Sequence, residues 1–126
     1  MDITPLSNKV SVTVPSTTGV TNPAPDLQAK WVDATLMALA TLFGGATALN
    51  GFGAWVSPTA GLVKESVVVV TAFCSDKALK SHRAALLNHC VNMAQAMTQE
   101  CIACEIDGTL YFVDGGNSNA IAKVAA

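Results

Sequence analysis

Residues 34–63 contain no charged side chain, and inside that stretch lie Leu42-Phe43-Gly44-Gly45-Ala46-Thr47 and Gly51-Phe52-Gly53-Ala54-Trp55. A run of thirty uncharged residues is long enough to suggest a membrane helix. Gly44, Gly45, Asn50, Gly51, Gly53 and Pro58 break it after about ten helical residues, so no membrane span is expected. What remains is an apolar helix that stops on a glycine pair, followed by a chain that turns back as the first strand of a hairpin. Glycine suits the stop because it enters the left-handed region without a Cβ penalty. Gly51 and Gly53 on either side of Phe52 leave the backbone bare, which fits a bulge, the close approach of another backbone or a ligand, or tight packing alone.

At 126 residues the chain is expected to form one domain over 1–126, with 1–8 and 115–126 as flexible or docked termini, and to bury a core without disulfides or metals. The apolar fraction is 51% and the charged fraction 13%, about half the usual charged share. A homo-oligomer that hides part of the apolar surface is therefore expected. Seven basic and nine acidic residues give a formal charge of −2 without any Lys/Arg block, which argues against long nucleic acid. A small nucleotide needs only a few donors and one stacking ring. Residues 1–5 carry an acid and a proline where a secretory segment would be basic and then apolar, so a cytoplasmic location is expected.

Four cysteines are present, Cys74, Cys90, Cys101 and Cys104. The last two have the spacing of a redox or zinc knuckle but lie in Cys101-Ile102-Ala103-Cys104-Glu105-Ile106, which reads as a strand. Positions three apart in a strand point to opposite faces, so the sulfurs would diverge. Buried structural thiols are expected, with no metal and no cofactor.

Residues 9–14 alternate Val10, Val12 and Val14 with Lys9, Ser11 and Thr13, the period of a half-buried strand that Pro15 ends. The Ser-, Thr-, Gly-, Asn- and Pro-containing run at 16–25 reads as a loop crossing one end of a sheet. Asp26 is placed to cap a helix over 27–43, whose apolar residues leave almost no polar side beyond the first two turns and so require cover on more than one side. Residues 46–56 and 62–73 then form a hairpin around Ser57-Pro58-Thr59-Ala60-Gly61. The continuous Val67-Val68-Val69-Val70 predicts a central strand covered on both faces, with Lys64 and Glu65 at its solvent end. Ser75 and Asp76 can cap a second helix running to about Gln99 with the stripe Leu79, Leu86, Cys90, Met93 and Met97. Residues 101–106 and 109–113 pair around Asp107-Gly108, a strong two-residue turn signal. Asp114 to Asn119 reads as a flexible connector, and 120–126 as a frayed or docked tail. The order βαββαββ gives an α+β fold, a mostly antiparallel sheet of about five strands with two helices packed on one face.

Catalysis needs an activated group with a partner in reach. His82 and His89 stand about 10 Å apart along the helix axis, with no third element to complete a metal set, and read as solvated or interface residues. Glu65 and Glu105 read as isolated carboxylates, and neither a P-loop nor a dinucleotide fingerprint occurs. No enzyme is expected. For binding, Phe73 or Trp55 can stack on a base, Arg83 with Lys77 and Lys80 can meet phosphates near a helix start, and Asn92 can read a polar edge. Core and solvent roles are the alternatives for the same residues.

The strand ending Val12-Thr13-Val14-Pro15, the helix entry Trp31-Val32-Asp33, the glycine pair, Gly53-Ala54-Trp55 and Gly61-Leu62-Val63-Lys64-Glu65 before the valine run resemble phage-encoded Thoeris anti-defence sponge proteins of the first type, over residues 10–113. The resemblance implies a non-enzymatic protein that sequesters glycocyclic ADP-ribose immune signals as a symmetric oligomer, some members also holding cyclic oligonucleotides. The ligand residues expected on physical grounds are Phe73 for stacking, Arg83 for phosphate and Asn92 for a polar edge, with His82, His89, Lys64 and Thr47 as additions. The competing expectations are a phage protein that inhibits a host protein through an apolar surface, and a nucleotide-modifying enzyme.

Overall fold

The computed structural model describes residues 1–19 and 21–116. Strand β1 (Asn8–Pro15) is followed by two short strands, β2 (Thr17–Thr18) and β3 (Asn22–Pro23), then helix α1 (Pro25–Phe43), the hairpin β4 (Thr47–Ser57) and β5 (Gly61–Cys74), helix α2 (Asp76–Ala96), and the hairpin β6 (Cys101–Ile106) and β7 (Thr109–Asp114). The long strands form one antiparallel sheet in the order β4-β5-β1-β6-β7, and β2 pairs with β3 separately. The first six long elements make the split βαββαβ arrangement of ferredoxin-like folds, with β7 added at one edge. This is the expected α+β architecture.

Local chemistry sets most boundaries. Gly44 adopts φ 95° and its N–H donates to the Ala40 carbonyl at 2.8 Å, closing α1 on the glycine pair. Ser75 Oγ accepts from the Ala78 N–H at 3.1 Å to open α2. The start of α1 differs from expectation: Pro25 occupies the first helical turn and Ala24 is the N-cap, with no side-chain cap. Proline needs no N–H partner there and its φ is already helical, so Asp26 falls inside the helix rather than before it. Helix α2 ends at Ala96, short of Gln99, because Thr98 turns at φ 51° and the Gln99 N–H returns to the Ala94 carbonyl.

Val10, Val12 and Val14 of β1 are fully buried against Leu39 of α1 and Leu86, Cys90 and Met93 of α2, with Val70, Ile102 and Cys104 from the flanking strands. The valine run is not covered on both faces. Val70 is buried, but Val67, Val68 and Val69 are half-buried, since β5 lies one place from the sheet edge and both helices occupy a single face. On the opposite face Leu49 is 65% exposed, Phe73 52% and Phe112 69%. Among the described residues no helix is long and apolar enough to cross a membrane. The expectations for the connector beyond Gly116 and for 120–126 fall outside the described residues.

The end of β7 packs closely under α2. The Gly115 N–H donates to the Glu100 carbonyl at 3.2 Å, and a Cβ at Gly115 would lie 2.5 Å from the Ala94 Cβ and 3.2 Å from the Gln95 nitrogen. Gly115→Ala is expected to lose about 1–3 kcal/mol of stability by overpacking, read as a lower denaturant midpoint at constant slope. Gly45→Ala, where a Cβ meets nothing within 4 Å, leaves the midpoint in place.

Candidate functional site

Strand β1 stops at Pro15, opposite Val67, whereas β5 begins at Gly61. Residues 61–66 therefore have only β4 beside them, and the chain leaving β1 folds over this end. Between that loop, the first turns of α1 and the β4–β5 ribbon lies a cavity of about 440 Å³, lined among others by Ser16, Thr17, Gln28, Trp55, Lys64 and Glu65.

Glu65 is its fixed point. The Ser16 N–H and the Thr17 hydroxyl both donate to Oε1, each at 3.1 Å, so Oε2 is the oxygen left to meet a ligand. Gly53 pairs directly across from Glu65 and Trp55 pairs with Val63, which puts the indole on the same face one step further along the ribbon. The bare backbone of Gly53 leaves space beside the carboxylate. Trp55 is 45% exposed, a ring available for stacking. Gln28 Nε2 reaches toward the Val14 carbonyl at 3.5 Å. Together these groups offer a stacking plane, an anionic acceptor suited to hydroxyl or ammonium donors, and one ammonium.

The residues singled out by sequence do not converge. Lys64 lines the Glu65 cavity. Phe73 and Thr47 line a second, larger hollow of about 500 Å³ at the glycine pair, whose walls carry hydroxyls but no charged group. Without a charge to orient a ligand it is the weaker candidate despite its size. Arg83 lies over the Tyr111 ring, 5.3 Å from its centroid, and Asn92 is exposed on α2. His82 meets Phe43 edge-on at 6.2 Å.

His89 is turned inward rather than solvated. Its Nε2 is 2.8 Å from Thr35 Oγ1 and its ring meets Trp31 edge-on at 5.5 Å, because its position on α2 faces the buried hydroxyl of Thr35 on α1. The Trp31 Nε1 beside it is buried without a hydrogen-bond partner. Cys104 is buried and Cys101 lies on the other face of β6, half-exposed, as the strand period requires.

Glu65, Thr17 and Gln28 escaped the sequence reading as site residues. The available signal was positional: the polar loop after Pro15 and the solvent end of the valine strand lie at the same end of the sheet, so a carboxylate there has backbone donors within reach.

No protein-family model and no curated protein sequence matches the chain. Among solved structures it is similar to a phage SAM lyase in complex with S-methyl-5'-thioadenosine, with a TM-score of 0.62 and 16% identity over 90% of this chain and 94% of that one. It is also similar to a phage SAM lyase in the apo state, with a TM-score of 0.60 and 17% identity over 90% and 96%. At such identity the likeness is one of fold. It corrects the expectation of a non-enzymatic protein to this extent: both of these solved structures are of a lyase, so the fold is one that carries an enzyme. That expectation rested on the lack of an activated group with a partner in reach, and not every bond cleavage needs one.

Burial holds the His89 pKa below the 6.5 of a free imidazole. The folded chain then binds fewer protons than the unfolded one, so this contribution to stability is complete above that value and declines as pH falls below it. Urea midpoints measured on either side of that pH are expected to show the decline in the natural protein and a flatter profile in His89→Gln.

Proposed function

We propose that the chain binds S-adenosylmethionine in the Glu65 cavity and cleaves it, leaving S-methyl-5'-thioadenosine, and that it serves a phage as an anti-host-defence protein. What supports this function is a half-buried carboxylate fixed through one oxygen by Ser16 and Thr17, with an exposed indole beside it across a glycine. Trp55 takes the adenine face. Glu65 accepts from the ribose hydroxyls. Lys64 meets the carboxylate of the amino-acid arm, a weak contact because it is exposed.

S-methyl-5'-thioadenosine is S-adenosylmethionine without its four-carbon arm, so the bond that breaks joins the sulfonium sulfur to the γ-carbon of that arm. The electron pair stays on sulfur, which becomes a neutral thioether. A lyase adds no water, so the new bond at the γ-carbon comes from the arm's own carboxylate and the arm leaves as a lactone. An anion held against the sulfonium would favour the charged ground state over the transition state, which is why Glu65 is assigned to the ribose and not to sulfur.

Incubation with S-adenosylmethionine is expected to yield S-methyl-5'-thioadenosine by mass spectrometry. Glu65→Gln lowers kcat/KM, and Trp55→Ala weakens binding by on the order of 1–3 kcal/mol through lost stacking. Glycocyclic ADP-ribose shares the adenine and ribose and is the competitor to include. Recovery of S-adenosylmethionine intact at every protein concentration would sink the assignment.

A second copy of the chain is the proposed cover for the open sheet face. Leu49 and Phe73 on one side of its polar centre and Leu110 and Phe112 on the other are exposed there, and a chain with 13% charged residues has few groups with which to solvate them. Leu49→Asp combined with Phe112→Asp is expected to shift the sedimenting species to monomer with unchanged helix content; a natural protein that already sediments as a monomer refutes the interface.

A further inference from the structure

Gln99 lies in the turn between α2 and β6, outside the lining of the Glu65 cavity. Its side chain crosses to the loop after β1, where Nε2 stands 2.8 Å from the Thr17 carbonyl, 2.9 Å from the Gly19 carbonyl and 3.3 Å from Thr17 Oγ1. Two carbonyl acceptors fix which end of the amide faces the loop, since its oxygen would be repelled there. The same turn holds the loop through the main chain, the Gly19 N–H donating to the Met97 carbonyl at 3.2 Å.

Thr17 is therefore held on three sides. Its hydroxyl has a single proton, which goes to Glu65 Oε1 at 3.1 Å, while the hydroxyl oxygen, 3.3 Å from Gln99 Nε2, accepts a share of a proton directed mainly at the neighbouring carbonyls. A hydroxyl that accepts a hydrogen bond donates a stronger one. The adjacent Ser16 N–H, the second donor to Glu65, is carried by the same anchored segment. We infer that Gln99 is the positioning residue for Glu65: through Thr17 it fixes the carboxylate's Oε1 and so decides where Oε2 presents itself to a ligand. This deepens the proposed function and rests on Glu65 being the ligand-binding carboxylate.

The test is a double-mutant cycle. Gln99→Met keeps the side-chain length and removes the donors, and Thr17→Val removes the hydroxyl while leaving the loop carbonyls. Each is expected to lower kcat/KM for S-methyl-5'-thioadenosine formation about tenfold in the natural background and to have little further effect when Glu65→Gln is already present, the non-additivity of groups that act together. Thr17→Ser, which restores the hydroxyl, recovers most of the activity. Equal losses in both backgrounds, or no loss, overturn the inference. Hydrogen exchange at the Ser16 amide gives a readout that does not depend on turnover. If the natural protein forms no product, the proposed reaction fails, yet faster Ser16 exchange in Gln99→Met and Thr17→Val alike still supports the relay. Unchanged exchange in both variants removes it.

Discussion

Strand β1 is hydrogen-bonded along both edges, to β5 from Asn8↔Cys74 to Pro15↔Val67 and to β6 from Val10↔Ile106 to Val12↔Cys104. Its three valines are completely buried beneath both helices. Each such burial contributes on the order of 1.5–3 kcal/mol, and a slip of one residue would exchange them for Lys9, Ser11 and Thr13. The opposite face of the strand is polar to match: Ser11 Oγ donates to Glu105 at 3.2 Å, and Lys9 pairs with the same carboxylate at 3.5 Å. Register is thus specified from both sides. Asn8 Nδ2 donates to Asp76 at 2.7 Å and ties the beginning of this strand to the start of α2.

The candidate site follows from where β1 ends. Proline cannot donate to a ladder and closes the strand, while β5 extends beyond it toward the ribbon turn. The Ser16 N–H, which a longer β1 could have spent on a ladder, is instead turned onto the Glu65 side chain, where the Thr17 hydroxyl joins it. The carboxylate therefore occupies the place of a missing strand, with Gly53 across from it and Trp55 beside it. Glu105, on the same sheet face in β6 beside β1, is engaged through Oε1 by Ser11 and by the Lys9 ammonium, whereas Glu65 has only neutral donors from the protein and lies at a cavity.

Features encoded within a few residues were legible in the sequence. The alternation at 9–14, the glycine pair at Gly44, the Ser75 cap and the Asp107-Gly108 turn each carry their own physical cause and stand where that cause puts them. Features that depend on residues distant in the chain were not. Nothing local to His89 reveals that Thr35 lies opposite on α1, and nothing local to Glu65 reveals Thr17 or, behind it, Gln99. The continuous valines of β5 suggested a strand covered on both sides, yet such a run is equally compatible with one covered face and a second apolar face left open.

A constellation of general acid, base and nucleophile serves chemistry that starts from an unactivated bond. General acids, bases and nucleophiles lower barriers by moving protons or supplying electrons. A sulfonium substrate brings a charged leaving group and, in its own carboxylate, an internal nucleophile. Such a reaction asks the protein chiefly for a folded substrate conformation and an environment that does not favour the cation, and orientation alone can account for several kcal/mol of a barrier. Under the proposed reaction, a stacking ring, one fixed carboxylate for the ribose, one ammonium for the arm and a wall otherwise made of uncharged groups are a sufficient set. Under the same reaction a scarcity of anions at the site is an advantage, because further carboxylates around the sulfur would stabilise the very charge that has to disappear.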